Sequence, residues 1–263
     1  MKRLLFICAL MLAACGPAPQ SHETAPQTLA TAAGAPAQPP RIETLVSPPA
    51  EQPGPSCTRD GVWCVAKTSD GQSVTITYLR RAISTISSLG EGEHGVWTQV
   101  IRTPRANGED ILIGVTATQE TGYSGGGGQA TQVTLYQVSS VQSGAPHAAL
   151  TFPLSAGIDI RACFSPADER MRRDACSDQY NFTGTLSLDA SATPAKLVLV
   201  TVATTYPAGI SRDADNTHAL SARDLRTARD PACSYRRVFS WDAASQTYKP
   251  DAPLPACSDY LEP

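Results

Sequence analysis

The chain has 263 residues, of which 41% are hydrophobic and 17% charged, and its formal net charge at pH 7 is −3. A chain this mildly acidic lacks the basic surface that nucleic-acid binding requires, which excludes DNA or RNA as a partner. A membrane-spanning helix after the N-terminal region is also excluded. The most apolar run there, residues 197–203, is far shorter than the ~20 residues needed and is interrupted by Thr201.

The first fourteen residues have the composition of a secretory signal. Lys2 and Arg3 provide positive charge, an apolar run follows over residues 4–12, and two small alanines come next. The apolar run is about half the length of a membrane-spanning helix. The pattern predicts that residues 1–14 are a signal peptide removed on export.

The segment Leu12-Ala13-Ala14-Cys15 resembles the lipobox of bacterial membrane lipoproteins. The resemblance implies that cleavage occurs before Cys15 and that this cysteine carries diacylglycerol, with a further acyl chain such as palmitate on its amine. Two or three such chains hold a protein on a membrane without a spanning helix. Residue 16 is Gly and not Asp, which by resemblance to sorting in enteric bacteria favours the outer membrane. A lipid-anchored protein facing the periplasm is expected, with an unlipidated secreted protein as the alternative.

Processing changes the charge and the number of cysteines. Two of the 21 basic residues and none of the 24 acidic residues lie in the signal peptide, so the mature chain has 19 against 24, a formal charge of −5. Cys8 leaves with the signal peptide and Cys15 is assigned to lipid, so six of the eight cysteines remain. An even number in an oxidising compartment predicts three disulfide bonds and not metal thiolates.

Residues 15–56 are rich in Pro, Ala, Gln, Ser and Thr and poor in large apolar side chains. Such a segment cannot bury enough surface to offset the entropy of ordering it. It is predicted to be a lipidated tether that holds the folded part away from the membrane. The alternative is a proline-rich docking peptide with Ile42, Leu45 and Val46 as its anchors.

Residues 57–263 are long enough for a single core. Short alternating or β-branched runs recur between clusters of Gly, Pro, Asp and Ser, and helical periodicity is nearly absent. The pattern predicts one all-β periplasmic domain of antiparallel hairpins. The expected strands cover residues 73–80, 96–101, 110–118, 131–138, 148–154, 158–164, 180–188, 196–204 and 235–241.

Neighbouring strands are expected to pair as hairpins, namely 110–118 with 131–138, 180–188 with 196–204, and 235–241 with 246–249. Successive hairpins suit either a small propeller or a two-sheet sandwich. The apolar strand 196–204 would suit the centre of a propeller blade, which favours the propeller-like arrangement.

The sequence CTRDGVWC predicts the first disulfide. Asp60-Gly61 is a strong signal for a two-residue type I′ hairpin turn. This turn places Cys57 opposite Cys64, at the ~4.5–5.5 Å Cα separation of facing residues in an antiparallel pair. That separation suits a disulfide, so a Cys57–Cys64 bond is predicted.

The second predicted bond, Cys163–Cys176, brackets one short helix. Ser165 suits the N-cap, Pro166 the first helical position and Asp168 the capping box. The helix is too short to be stable alone, and the bond would pin its ends. A narrow apolar stripe able to rest on a sheet recurs every four residues. Its members are Ala167, Met171 and Ala175.

The third bond follows by elimination and joins Cys233 to Cys257 at the base of the last hairpin. Within that hairpin Phe239 is expected opposite Tyr248, an aromatic cross-strand pair of the kind that stabilises sheets. Each disulfide is expected to contribute about 2–4 kcal/mol through the entropy of the unfolded chain.

The glycine-rich run at residues 122–128 is the most distinctive loop. A phosphate cradle needs a strand, the loop and a helix N-terminus, with a Lys in its P-loop form. Here the loop lies between two strands and no Lys follows, so a hairpin tip is predicted. The alternative is a weak ligand-binding loop in which Tyr123 stacks on the ligand and Gly125 and Gly126 approach it.

The other residue patterns that could carry chemistry do not match a known type of site. Ser124 is not flanked by glycines on both sides and no helix follows it, unlike a hydrolase nucleophile. The four histidines are isolated, without the spacing of a zinc site. Segment 213–218 resembles the oxygen-rich start of a calcium loop but lacks the glycine and distal glutamate of an EF-hand, and segment 107–110 is a similarly acidic turn, so both are predicted to be polar turns. Arg170, Arg172 and Arg173 lie among acidic residues and are predicted to form a solvated helix face, with an anionic glycan or lipid contact as the alternative.

These observations assign no catalytic residue, metal or cofactor. The expected function is a lipid-anchored envelope protein with a non-catalytic binding or scaffold role, whose partner is a periplasmic protein or glycan. The alternative is a periplasmic hydrolase whose site is assembled from loops. A pocket with converging titratable groups would favour the enzyme, whereas a smooth or apolar surface would favour the binding protein.

Overall fold

The structure is a computed structural model that describes residues 38–49, 51–52, 54–87, 89, 92–105, 107–141, 145–212 and 219–263. The signal peptide, Cys15 and the acidic segment 213–218 lie outside these residues, so the expectations about them stay predictions. No helix in the part that the structure describes is long and apolar enough to cross a membrane.

The described residues form fourteen strands and two short helices. In chain order the strands are β1 (Arg41–Thr44), β2 (Ser56–Cys57), β3 (Trp63–Lys67), β4 (Ser73–Tyr78), β5 (Arg81–Ser87), β6 (Glu93–Arg105), β7 (Gly108–Tyr123), β8 (Gly126–Ser139), β9 (His147–Arg161), β10 (Ser177–Asp189), β11 (Lys196–Tyr206), β12 (Ala228–Arg229), β13 (Arg236–Asp242) and β14 (Thr247–Pro250). The helices are α1 (Pro166–Met171) and α2 (Ser258–Leu261).

Ten strands form one large antiparallel sheet in the order β1-β6-β7-β8-β9-β10-β11-β13-β14, with β12 also paired to β11. From β6 to β11 each strand pairs with the next one in the chain, so the centre of the sheet is a run of hairpins. Strand β14 also lies against β9. The sheet therefore curls, and its last hairpin returns to the strand at its centre.

The remaining strands form a second sheet, in the order β2-β3-β4-β5, packed on one face of β6 and β7. Trp63, Val65 and Ile76 of this small sheet are almost completely buried, in one apolar cluster with Val100 and Ile113 of the large sheet. Full burial of side chains of this size contributes about 1.5–3 kcal/mol each. The two sheets therefore enclose a hydrophobic core between them.

The opposite face of the large sheet has its own core, because alternate residues of a strand point to opposite faces. In β7, Ile111 and Ile113 belong to the cluster with the small sheet, whereas Leu112 packs in a cluster with Phe152 and Leu199. Residues 110–115 of β7 are thus buried on both faces, which explains the apolar run in this half of the strand.

The predicted all-β fold of antiparallel hairpins is confirmed. The expected hairpins 110–118 with 131–138 and 180–188 with 196–204 are β7–β8 and β10–β11. Of the two arrangements left open, the two-sheet one describes the structure. The propeller-like one, which the sequence favoured, does not, because β6 to β11 form one continuous sheet and not separate four-stranded blades.

Two predicted strands, 148–154 and 158–164, are replaced by the single strand β9. Its register with β8 shifts between Thr131 and Gln132, where Pro153 stands opposite Gln132. A proline has no N–H to donate to the sheet, and a bulge tolerates this loss. The strand therefore continues through the proline and across residues 155–157, which the prediction had left between two strands.

Three disulfide bonds join the predicted partners: Cys57–Cys64, Cys163–Cys176 and Cys233–Cys257. The first lies across the β2–β3 pair at the expected register. The turn beside it is not type I′, which needs positive φ at both central residues. Gly61 has φ +67°, but Asp60 has no positive φ. Instead the Gly61 N–H donates to the Thr58 carbonyl, and Asp60 Oδ1 accepts from the Thr58 hydroxyl and from the Val62 N–H.

Helix α1 begins as predicted but ends early. The Ser165 hydroxyl caps it by accepting from the Asp168 N–H, and the Asp168 carboxylate accepts from the Phe164 N–H. None of its residues is buried, and Met171 is 40% exposed. The predicted stripe of Ala167, Met171 and Ala175 is therefore wrong, because the helix ends at Met171 before the stripe is complete.

The ordered domain begins before residue 57. Strand β1 pairs with β6, the next residue Leu45 is 5% exposed, and Val46 bridges to Cys57. The segment expected to be a tether thus contributes an edge strand to the large sheet. Strand β1 was not predicted because its four residues are too few to stand out from the proline-rich composition of residues 15–56.

Candidate ligand-binding cleft

A cleft of about 820 Å³ lies at one end of the large sheet. It is bounded by the β6–β7 turn, the end of β8, the start of β9 and the β13–β14 hairpin. Its volume falls in the range of about 300–1,000 Å³ that is typical of small-molecule sites. We name it the rim cleft, and the side chains that define it are Arg105, Asp110, Gln137, His147 and Trp241.

A small recess of about 60 Å³ opens beside the rim cleft and shares four of its residues. Tyr248 and Trp241 line this recess, together with apolar side chains of the large sheet and of the β10–β11 turn. Leu112, Pro194 and Ala195 supply that apolar wall. The rim cleft is therefore a polar opening with a narrow extension whose wall is part apolar and part polar.

Hydrogen bonds fix the polar wall of the rim cleft. Arg105, the last residue of β6, forms an ion pair with Asp110 near the start of β7. The Gln137 Nε2 on β8 donates to the same carboxylate oxygen, Asp110 Oδ2, at 3.0 Å. The Asp110 side chain is only 8% exposed, whereas that of Arg105 is 58% exposed. The carboxylate is thus held rigidly, and the guanidinium reaches into solvent.

Aromatic rings form the other wall. Trp241 on β13 and Tyr248 on β14 meet edge to face, with ring centroids 5.2 Å apart and planes at 66°. His147 lies almost parallel to Trp241, at 6.4 Å and 19°. Burial raises the pKa of the Tyr248 phenol, so its hydroxyl keeps its proton at neutral pH and can donate a hydrogen bond.

The pair Trp241–Tyr248 corrects the predicted register of the last hairpin. The structure places Trp241 opposite Tyr248 and Phe239 opposite Pro250, a shift of two residues from the predicted Phe239–Tyr248 pair. The turn keeps its predicted length of four residues but is shifted by one position, from 242–245 to 243–246, and Asp242 accepts hydrogen bonds from the Ala244 N–H and the Ser245 hydroxyl.

His147 is the first residue of β9, and its ring joins β9 to the last hairpin. Nε2 of the imidazole is hydrogen-bonded to the backbone carbonyl of Gln246. A carbonyl only accepts, so this nitrogen must carry a hydrogen and act as the donor. The bond holds the β13–β14 hairpin over the end of β9, which closes one side of the rim cleft.

A second cluster of charges lies away from the rim cleft and is structural. Arg102 on β6 is 6% exposed and binds Glu109 through two hydrogen bonds of 2.9 and 2.8 Å. It also contacts Glu43 of β1 and Asp60 of the β2–β3 turn. Burial disfavours the charge, but the hydrogen bonds that Arg102 donates to Glu109 and Asp60 outweigh this and raise the pKa of Arg102. The cluster ties the two sheets together.

The sequence-predicted loop Tyr123, Gly125 and Gly126 does not lie in the rim cleft. Strands β7 and β8 extend to Tyr123 and Gly126, which face each other at the hairpin tip. Tyr123 is 55% exposed there. A Cβ on Gly126 would stand 2.3 Å from the Asp159 carbonyl oxygen, so close packing against β9 accounts for this glycine without a ligand.

The remaining sequence candidates have structural roles or lie elsewhere. Of the acidic turn 107–110, Glu109 binds Arg102 and Asp110 binds Arg105. Arg172 was predicted on a solvated face, which is wrong, because its side chain is 4% exposed and ion-paired with the buried Asp178. Among the described residues, no three His, Cys, Asp or Glu side chains group together in the manner of a metal site.

Sequence reasoning missed most of the rim cleft. His147, Trp241 and Gln137 come from strands far apart in the chain, and no local motif connects them. The only signal was the acidic segment 107–110, which is predicted to be a turn, contains Asp110 and overlaps the start of β7. Comparisons with protein-family models, curated proteins and solved structures found no match to this chain.

Proposed function

We propose that this chain is a lipid-anchored protein of the bacterial outer membrane that faces the periplasm and binds a ligand in the rim cleft without transforming it. The observation that carries the proposal is the composition of the cleft. Partly exposed aromatic rings and a fixed row of hydrogen-bonding side chains converge in one concave space, as they do in ligand sites.

The state of the ionisable groups supports binding over catalysis. A hydrolase needs a group positioned to move a proton to or from its substrate, often beside a nucleophile. In the rim cleft the Asp110 carboxylate is held by Arg105 and Gln137, and Nε2 of His147 is held by the Gln246 carbonyl. Each group is engaged by the protein in a way that suits a fixed recognition surface.

Ligand binding can be followed through tryptophan fluorescence. The chain has three tryptophans, and Trp63 and Trp97 are 0% and 7% exposed, while Trp241 is partly exposed in the cleft. Quenching by acrylamide therefore reports mainly on Trp241. The full-length protein, purified in mild detergent, would be mixed with a small-molecule extract of the bacterial envelope.

We expect the extract to protect Trp241 from quenching and the bound compound to be recovered chemically unchanged by mass spectrometry. Gln137→Met, in the same cleft, should weaken the protection while keeping the Trp241 reporter, and Tyr123→Phe, at the exposed hairpin tip, should leave the protection intact. Recovery of a cleaved product whose formation is lost in Asp110→Asn would favour the hydrolase instead.

The membrane address has a separate test. Expression of the full chain with labelled palmitate should label the protein, and the label should follow the outer membrane in a density gradient. Cys15→Ala should remove both the label and the membrane association. Labelled protein in the inner membrane, or unlabelled wild-type protein, would overturn this part of the proposal.

A further inference from the structure

We infer that the rim cleft recognises an uncharged oligosaccharide that carries N-acetyl groups. This inference rests on the proposed function, because it names the ligand of the same cleft. Four features of the cleft support it: the aromatic wall, the free hydrogen-bonding atoms, the balance of charge, and the size and chemistry of the recess.

The aromatic wall fits the apolar face of a sugar ring. A pyranose presents a face of C–H groups, and flat aromatic rings pack against such faces while the sugar hydroxyls point outward. Trp241 packs edge to face with Tyr248 and lies nearly parallel to His147, so its orientation is fixed before a ligand arrives. A fixed ring loses little entropy on binding, which favours affinity.

The polar wall offers the donors and acceptors that neighbouring hydroxyls need. Gln137 donates through Nε2 to Asp110 Oδ2, which leaves the Gln137 Oε1 and Asp110 Oδ1 to accept from a ligand. Arg105 pairs through Nη2, which leaves its other N–H groups to donate. Two adjacent hydroxyls, each able to donate and accept, match this row of planar groups.

The charge of the cleft argues for a ligand without net charge. Among the described residues that line the cleft, Arg105 and Asp110 are the two that are permanently charged at neutral pH, and they neutralise each other. The carboxylate would repel a polyanion, and the guanidinium would repel a polycation. A neutral saccharide meets both as partners in hydrogen bonds.

The recess accounts for the N-acetyl group. Its volume of about 60 Å³ accommodates a small substituent but not a sugar ring. Its wall is apolar at Leu112, Pro194 and Ala195, and polar where Asp110 and Gln137 enter it. An acetamido group also has an apolar and a polar part. Its methyl would contact the apolar wall, and its amide would form hydrogen bonds with the polar side chains.

A pair of matched sugars tests the inference. Tetra-N-acetylchitotetraose and cellotetraose have the same linkage and differ at each ring by an acetamido group in place of a hydroxyl. Isothermal titration of the full-length protein in detergent should show the acetylated sugar binding at least about tenfold more tightly, the range lost when a pocket is left empty. Equal binding of the two sugars would overturn the assignment of the recess.

Matched variants locate the site. Trp241→Ala should weaken binding of the acetylated sugar by at least about tenfold, as expected for an aromatic anchor. Gln137→Met keeps the bulk of the side chain and should also weaken it, which guards against misfolding of the tryptophan variant. Tyr123→Ala should leave the affinity unchanged. The opposite pattern, with binding lost only in Tyr123→Ala, would move the site to the hairpin tip.

The outcomes separate this inference from the proposed function. If neither sugar binds but the envelope extract still protects Trp241 from quenching, the ligand is not a saccharide of this kind and the cleft remains the binding site. If neither the sugars nor the extract affects Trp241, the binding function itself is overturned.

Discussion

Arg102 on β6 and Asp60 in the β2–β3 turn join the two sheets through an ion pair of 2.6 Å between Nη1 and Oδ2. The guanidinium is shared with Glu109 and Glu43, so one buried cation serves three carboxylates from three elements. The indole N–H of Trp63, at the centre of the small sheet, donates to the same Glu109 at 2.6 Å. The cluster therefore connects the charge network directly to the apolar core.

Replacing Arg102 should destabilise the fold strongly. Arg102→Met keeps much of the side-chain bulk but leaves Glu109, whose side chain is 12% exposed, without its cation, and such a loss costs about 3–5 kcal/mol. Urea unfolding should show this decrease in the free energy of unfolding. Arg81→Met, on the exposed edge strand β5, is the control and should change it by less than about 0.5 kcal/mol. Similar effects of the two substitutions would show that the buried network contributes little.

Asp60 should make the fold sensitive to acid. Burial alone would raise its pKa, but hydrogen bonds from the Thr58 hydroxyl, the Arg102 guanidinium and the Val62 N–H lower it from 3.8 to about 2. The folded state thus binds the proton less tightly than the unfolded state. Its contribution is present above about pH 4 and is lost as the pH falls towards 2.

The measurement is the urea midpoint of unfolding between pH 2 and pH 6. Asp60→Asn should flatten the acid side of this curve relative to the wild type. Asp70→Asn is the matched control, because Asp70 accepts the equivalent hydrogen bonds from Thr68 and Gln72 but has no arginine partner. We expect a smaller flattening there. Equal curves for the wild type and Asp60→Asn would contradict the assignment.

The comparison of Asp60 with Asp70 also shows what the sequence could predict. Both lie in a Thr-x-Asp-Gly turn, and in both turns the threonine hydroxyl bonds to the aspartate while the glycine N–H donates to the threonine carbonyl. The sequence predicted the register of the first hairpin and the disulfide across it. It assigned the wrong turn type because the threonine, two residues before the aspartate, lengthens the turn.

Removing disulfides should destabilise the fold in proportion to the loops that they close. Cys233–Cys257 spans 24 residues, whereas Cys57–Cys64 spans 7. The loop-entropy relation predicts that the double alanine variant of the longer pair loses about 1 kcal/mol more than that of the shorter pair. Urea unfolding of both variants measures the difference. A greater loss from the shorter pair would show that native contacts, and not loop entropy, dominate.

The rim cleft was beyond prediction from sequence for a physical reason. A shift of two residues in a hairpin keeps every side chain on its face, so the alternating pattern cannot distinguish Phe239–Tyr248 from Trp241–Tyr248. The conformation of the turn sets the register, through the hydrogen bonds to Asp242 and the positive φ of Gln246. The approach of β9 to this hairpin depends on the curl of the whole sheet, which no local pattern encodes.

Two glycines on neighbouring strands should respond oppositely to substitution by alanine. At Gly126 a Cβ would lie 2.3 Å from the Asp159 carbonyl oxygen, so Gly126→Ala forces the backbones of β8 and β9 apart and should cost about 1–3 kcal/mol. At Gly157 the nearest atom is the Asn181 Oδ1 at 3.8 Å. Gly157→Ala should be neutral or stabilising by up to about 1 kcal/mol, because alanine loses less entropy on folding.

Thermal and urea unfolding of the two variants measure this contrast, and their effect on sugar binding should be small because both positions lie outside the rim cleft. A destabilised Gly157→Ala would show that the sheet face at β9 is packed more tightly than its open surroundings indicate. A stable Gly126→Ala would show that the hairpin tip yields to the added methyl, which would remove the packing explanation for the glycine-rich sequence and return that loop to consideration as a ligand contact.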